Sequence, residues 1–284
     1  MLLNAATIDE VRAYLVQGRA AAIEGVRPSG ITLDAALELA CAATQWEASS
    51  NAIGTALFKK WSGTSSVLPE AASLLSGEVQ APSTPEMFAA PQFELFLLRR
   101  RADILETPWD LYRQRFGRSL KSQGFSSTLA HALSKALDEM ADNVIQHSGS
   151  DESKPATGLI GYHVNERWMQ FAVVDLGRGL LNSLRTNPKW STLSDSKSAL
   201  QEAIQNYATR RKSEKEGGGF KQVHKALADL NGHLRFRSGD AVLTLDGRGK
   251  ERAARIMSSP VLPGFQLSVT CSLDQAGPDL PLPT

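Results

Sequence analysis

Between Leu129 and Val144 the apolar residues Leu129, Leu133, Leu137, Met140 and Val144 recur at steps of three or four. That is the period of a helix with one buried stripe, and it anchors this stretch in a core. The same pitch fixes the flank. Glu139, Asn143 and His147 are spaced by four and line up as a polar strip beside the stripe. A carboxylate and an amide are thereby held on a rigid element, an arrangement that suits a metal or nucleotide site. Taken alone, the run favours an ordinary amphipathic helix. Two glycine-rich stretches further along the chain change that reading.

Ser126-Ser127-Thr128 caps the helix, which ends near His147-Ser148-Gly149 with Gly149 as the stop. After a polar loop over 150–156, residues 158–164 and 168–175 read as two strands joined by a tight turn at Asn165-Glu166. Residues 195–211 and 220–230 read as helices, the second stopped by Asn231-Gly232. Leu234–Arg237 and Val242–Leu245 alternate as separate strands, divided by Ser238-Gly239-Asp240. A basic insertion at Arg248–Arg255 precedes a last strand over Phe265–Leu273. This order predicts an α+β sandwich, with helices on one face of a mixed, mostly antiparallel sheet.

Residues 1–115 read as a mainly helical N-terminal region of unknown role, and residues 116–284 as the sandwich domain. Thr7-Ile8-Asp9-Glu10 is a capping box, with Val11, Tyr14 and Leu15 after it as a buried stripe. Arg27-Pro28-Ser29-Gly30 breaks the chain, Thr32-Leu33-Asp34 starts a second helix, and a third piece through Ala56-Leu57-Phe58 closes at Trp61–Thr64. Gly77–Pro91, with three prolines, is the expected linker, while Phe93–Ile104 fits helix and strand equally. Net charge is +1 over 284 residues, which gives no global pull toward nucleic acid or anionic lipid. The short basic insertion is a poor DNA track, so nucleic acid is a weak expectation. No apolar run approaches the ~20 residues of a membrane span, and no secretory leader is recognisable at Met1-Leu2-Leu3-Asn4. Two cysteines without a pairing pattern fit a reducing cytoplasm.

Three elements carry chemistry. Glu139-x-x-x-Asn143 offers hard oxygen ligands suited to Mg²⁺ and a carboxylate able to polarise an attacking group. Asp175-Leu176-Gly177-Arg178-Gly179 sits where an apolar strand ends, so the Asp can accept from an exocyclic amine while the glycines let backbone pass close to a planar base. Gly217-Gly218-Gly219-Phe220 opens a helix whose free N–H groups form an anion cradle. Separately these are a flank, a turn and a hinge. Their order at the right element boundaries is what points to a nucleotide.

The arrangement resembles the GHKL ATP-binding superfamily, the fold shared by DNA gyrase, histidine kinases and the bacterial anti-sigma-factor serine kinases. Glu139–His147 is similar to its N box, Asp175–Gly179 to its second motif and Gly217–Phe220 to its third. The similarity continues through Leu230–Gly239 and Pro263-Gly264-Phe265, and covers about residues 120–275. It implies a Bergerat-type two-layer sandwich binding ATP and Mg²⁺. It further implies Asn143 on the metal, Asp175 on the adenine amine, Gly177 and Gly179 beside the base, and Gly217, Gly218 and Gly219 at the phosphates. Glu139 would be the base that activates water or a hydroxyl. The chain departs from the family at Gln146, where a basic residue is common, and at Phe220, where Leu is usual. The segment 179–217 would be the ATP lid, and Arg210 within Thr209-Arg210-Arg211-Lys212 would reach the γ-phosphate when it closes.

No phosphoacceptor His followed by an acidic residue lies upstream: His131 precedes Ala132, and His163, His224 and His233 are isolated. A self-phosphorylating sensor kinase is therefore disfavoured. Two classes are expected: an ATPase or protein serine kinase-like regulator, and a nucleotide-switched interaction module with little turnover. Either takes ATP or ADP and a regulatory protein partner, and a homodimer is compatible with both.

Overall fold

The computed structural model describes residues 2–19, 21–48, 51–76, 90, 92–147, 158–166, 168–205, 232–246 and 254–273. These fall into two compact units, one within residues 1–82 and one within 83–276. The expected linker at Gly77–Pro91, the loop at 150–156, the helix over 220–230 and most of the basic insertion lie outside the described residues.

The first unit runs β1 (Leu2–Leu3), α1 (Ala5–Val16), α2 (Ala21–Glu24), β2 (Gly30–Ile31), α3 (Leu33–Ala48), α4 (Ala52–Ser62) and α5 (Val67–Ser76). The two short strands pair in parallel. At its centre is α3, whose Leu37, Leu39, Ala40 and Cys41 are closed off from solvent, with α1, α4 and α5 packed on it. The capping box of α1 is one turn earlier than its sequence suggests. Asn4 Oδ1 accepts from the Thr7 N–H at 3.0 Å, and the Asn4 N–H donates to Thr7 Oγ1 at 2.8 Å. The buried stripe is accordingly Ala5, Ile8, Val11 and Arg12, with Tyr14 and Leu15 only half-buried. In α4, a methyl at Gly54 would run into the indole of Trp46.

The second unit runs β3 (Phe93–Leu98), a 3-10 turn (Arg101–Ile104), α6 (Thr107–Ser122), α7 (Ser127–His147), β4 (Gly158–Asn165), β5 (Trp168–Asp175), α8 (Gly179–Leu184), a 3-10 turn (Pro188–Trp190), α9 (Ser196–Gln205), β6 (His233–Asp246) and β7 (Ala254–Ser272). Its sheet has the order β3-β4-β5-β7-β6, and every pairing is antiparallel. The fold class is thus α+β. The boundary expected at 115 falls inside α6, because β3 pairs with β4 and α6 packs on α7, which ties both to the sheet. Ser238-Gly239-Asp240 does not divide two strands. β6 runs straight through it, and the shifts of register on either side of Gly239 leave the extra residues on β7, between Ser258 and Leu262 and between Leu262 and Phe265.

Register explains the core. Phe96, Ile160, Val173, Leu267 and Phe236 face one another across all five strands, and Glu94, Tyr162, Phe171, Val269 and Leu234 form the next row on the same face. The apolar sides of α6, α7 and α9 join these rows in one cluster, including Phe116, Leu137, Met140 and Leu200. The opposite face is also buried, and is more polar, with Gln170, Arg235, Gln266 and Ser268.

One ion pair crosses this core. Arg115 (1% exposed) on α6 grips Glu94 (9%) on β3 through Nη2 to Oε1 at 2.5 Å and Nε to Oε2 at 3.1 Å. The Tyr162 hydroxyl donates to the same Oε2 at 2.9 Å, and burial, then the Glu94 carboxylate, push that phenol far above its usual range. Removing one member strands a charge in an apolar layer. Arg115→Met should therefore lower the unfolding free energy in urea by about 3–5 kcal/mol. The double variant Glu94→Leu/Arg115→Met should recover most of that loss, and a double variant no better than the single would mean the pair is not what the core depends on.

Candidate functional site

The stripe expected on the long helix is present in α7. Leu133, Leu137, Met140 and Val144 are buried, along with Ala130, Ala136 and Ala141 between them. The Leu129 N–H bonds Ser126 Oγ at 3.3 Å, so the helix starts at the expected cap. Burial of this side fixes the helix's rotation, which leaves Glu139 and Asn143 half-buried on its flank. Asn143 Nδ2 makes only a long contact, 3.9 Å to Met140 Sδ, among the described residues.

The last turns of α7 lie over the end of the sheet that carries Asp175. Val144 sits against Gly158, where a side chain of any size would clash with it, and Gly158 is the residue paired with Asp175. Asp175 closes β5 and is 1% exposed. Its Oδ1 accepts the Gly177 N–H at 2.5 Å, and the carboxylate also accepts from the Phe265 N–H. Burial raises its pKa to about 7, and those two N–H groups pull against the rise. No cation neutralises it among its described partners, so this is a buried carboxylate held by backbone dipoles alone.

Glycines make the surroundings possible. Gly264 has φ +77, and a methyl there would run into the Asp175 carbonyl and come within 2.7 Å of its carboxylate. Gly179 has φ +74, and its added Cβ would meet Gly264 O and Ser238 Oγ, both at 3.1 Å. Ser238 ties the pieces together, donating to Gly264 O at 3.1 Å and accepting from the Leu180 N–H at 2.8 Å. The start of α8, β6 and the bend in β7 are thereby held around the strand end. Residues 179–205 of the expected lid are described, α8 and α9 among them, and Asp195 caps α9 by accepting the Ser198 N–H at 2.8 Å.

The structure therefore brings Asp175, Gly177 and Gly179 to one end of the sheet, over which the turn of α7 bearing Asn143 also packs. Gly217, Gly218, Gly219, Phe220 and Arg210 lie outside the described residues, as does the side chain of Gln146. Sequence reasoning left Gly264 and Ser238 without a role. A Pro-Gly step directly before an apolar strand was the available signal for the first; a serine in mid-strand gave none. No family model matches the chain, and the curated proteins include no significant sequence match.

The folded state holds a proton on Asp175 more tightly than the unfolded chain does, from about 7 against an ordinary 3.8. Its contribution to stability is full below the unfolded value and is lost as pH rises through the folded one. Relative to wild type, Asp175→Asn should gain stability steadily between about pH 4 and pH 7 and stay level above that. Urea unfolding across this range checks it. A gap between the two proteins that does not change with pH would contradict the burial of an uncompensated carboxylate.

Proposed function

We propose that the second unit is a GHKL-type nucleotide-binding domain with a Bergerat-type sandwich, taking ATP with Mg²⁺ and acting in the cytoplasm as an ATPase or protein serine kinase-like regulator. The observation that carries this reading is Asp175, a carboxylate buried at a strand end with no cation among its described partners and with glycines around it. A carboxylate accepts through two oxygens with several lone-pair directions. With the Gly177 and Phe265 N–H groups on the carboxylate, acceptor capacity is still left for an exocyclic amine such as that of adenine. Gly177 has no side chain to hold a flat ring off the backbone, while the missing side chains of Gly179 and Gly264 are already required by the packing around the strand end. Such an acceptor would be satisfied only by a base with an amine in that place, so the site would choose adenine over guanine.

Asn143 has the oxygen chemistry for Mg²⁺, a hard cation that needs few protein ligands beside phosphate and water. A bound ATP–Mg²⁺ supplies an electrophilic γ-phosphoryl group. This chain's part is to orient it and to offer Glu139, half-buried one turn before Asn143, as the base toward water or a hydroxyl. Nucleotide-switched protein interaction with little turnover is the second reading. A first unit, mainly helical and with a core of its own, favours it. Among the described residues no helix is long and apolar enough to cross a membrane, and Cys41 and Cys271 are buried free thiols, in keeping with the cytoplasmic assignment.

Calorimetric titration with ATP, ADP and GTP, with and without Mg²⁺, tests the reading. Wild type should prefer adenine nucleotides, and Asp175→Asn should lose about 1–3 kcal/mol of that preference, the cost of an unmatched buried polar group. An undiminished preference would remove Asp175 from the site. Glu139→Gln should keep nucleotide affinity and abolish turnover if the protein is an enzyme. Equal, negligible turnover by both proteins would favour the switch.

A further inference from the structure

Away from Asp175, α6 and α7 form an antiparallel hairpin whose outer side encloses an open groove of about 690 Å³. One wall is the face of α6 bearing Arg113, Gly117, Arg118 and Lys121; the other is the face of α7 bearing Ser127, Ser134, Lys135 and Asp138. At a rise of about 1.5 Å per residue, the α7 wall from Ser127 to Asp138 is roughly 16 Å long.

Its charges are arranged unevenly. At one end Arg113 Nη1 donates to Asp138 Oδ2 at 2.6 Å and its Nη2 to Asp110 Oδ1 at 3.1 Å, while the Trp109 indole N–H bonds the other Asp138 oxygen at 3.0 Å. One guanidinium against two carboxylates leaves that end net negative. Among the described residues Asp138 is also the only carboxylate lining the groove, so the remaining length presents Lys121 and Lys135 without one, beside Arg118, whose Nη2 donates to Gln114 Oε1 at 3.1 Å. Among the same residues neither lysine has an ion-pair partner. Like charges lining a concave surface raise the local concentration of an oppositely charged group.

Gly117 gives the groove its floor. Glycine is a poor helix former in mid-helix, so it needs a reason. Packing does not supply one, since an added Cβ would meet only Ser134 Oγ at 3.6 Å, an ordinary contact. The missing side chain leaves space between the cations instead.

We propose that this groove docks an acidic, carboxylate-rich segment of a partner protein. The groove's described lining contains no Phe, Tyr or Trp on which bases would stack. It likewise offers no large apolar side chain to insert into a bilayer, and its surface is concave where a membrane is flat. An extended peptide at about 3.3 Å per residue places roughly five residues along it, enough for carboxylates on alternate positions to meet Arg118, Lys121 and Lys135.

Fluorescence anisotropy of the full chain with a labelled decamer of alternating Glu and Ser tests the proposal. Binding should weaken on raising salt from about 0.05 to 0.5 M, as screening shortens the reach of these charges. Arg118→Glu/Lys135→Glu should weaken it at least about tenfold, whereas Arg27→Glu/Lys59→Glu, the same change of charge on the first unit, should leave it within about twofold. Gly117→Leu, which fills the floor and alters no charge, should also weaken it with the far-ultraviolet circular dichroism unchanged and the urea midpoint no lower than that of wild type. If that variant misfolds, the charge-reversal comparison decides. No peptide binding by wild type, equal loss in both charge-reversed proteins, or tighter binding through Arg118 and Lys135 of a single-stranded oligonucleotide or of phosphatidylserine vesicles would each overturn the assignment.

Discussion

The second unit depends on α7 lying with one side, and only that side, against the sheet. Leu133, Leu137, Met140 and Val144 are each within 1% of complete burial, and burying such a side chain contributes about 1.5–3 kcal/mol. Rolling the helix by a single residue position would expose several of them together. Its rotation is therefore fixed, and with it everything on its flanks. Glu139 and Asn143 are carried on one edge, while Ser134, Lys135 and Asp138 face α6 on the other. One hydrophobic constraint thus orients both the residues proposed for the nucleotide and those of the basic groove.

Two carboxylates on the inner face of the same sheet are treated in opposite ways. Glu94 is met by the fork of Arg115 and by the Tyr162 hydroxyl, so its charge is matched within the core. Asp175, on the same face at the end of β5, receives only backbone N–H groups among the described residues, and its pKa rises to about 7. The first arrangement holds β3, α6 and β4 together. The second costs stability at neutral pH, and in return anchors the Gly177 and Phe265 N–H groups at the strand end. The adenine contact proposed for Asp175 would account for keeping a buried group at such a cost.

Much of this was legible in the sequence where the physics is local. The 3.6-residue period of α7 and the alternation of β4 and β5 come from neighbours on one element, and their bounds are close to those expected. What was not legible depends on distant partners. Phe93–Leu98 fits helix or strand alone and becomes a strand only by pairing with residues 158–163. The helix α6 hid behind a buried Arg115 and Ser119 where an apolar stripe would be expected. Gly239 reads as a turn, yet the pairing with β7 carries the strand through it. In the site, Asp175 could be placed at a strand end, but its burial depends on Gly264 and Phe265 far along the chain, which no local pattern connects to it.

The most direct test is a crystal structure of the chain grown with a non-hydrolysable ATP analogue and Mg²⁺. The account predicts the adenine amine within hydrogen-bonding distance of the Asp175 carboxylate, its ring against Gly177, Gly179 and Gly264, and Asn143 among the ligands of the metal. An analogue bound elsewhere at saturating concentration, or a strand end that stays closed around Asp175 with no nucleotide beside it, would contradict it.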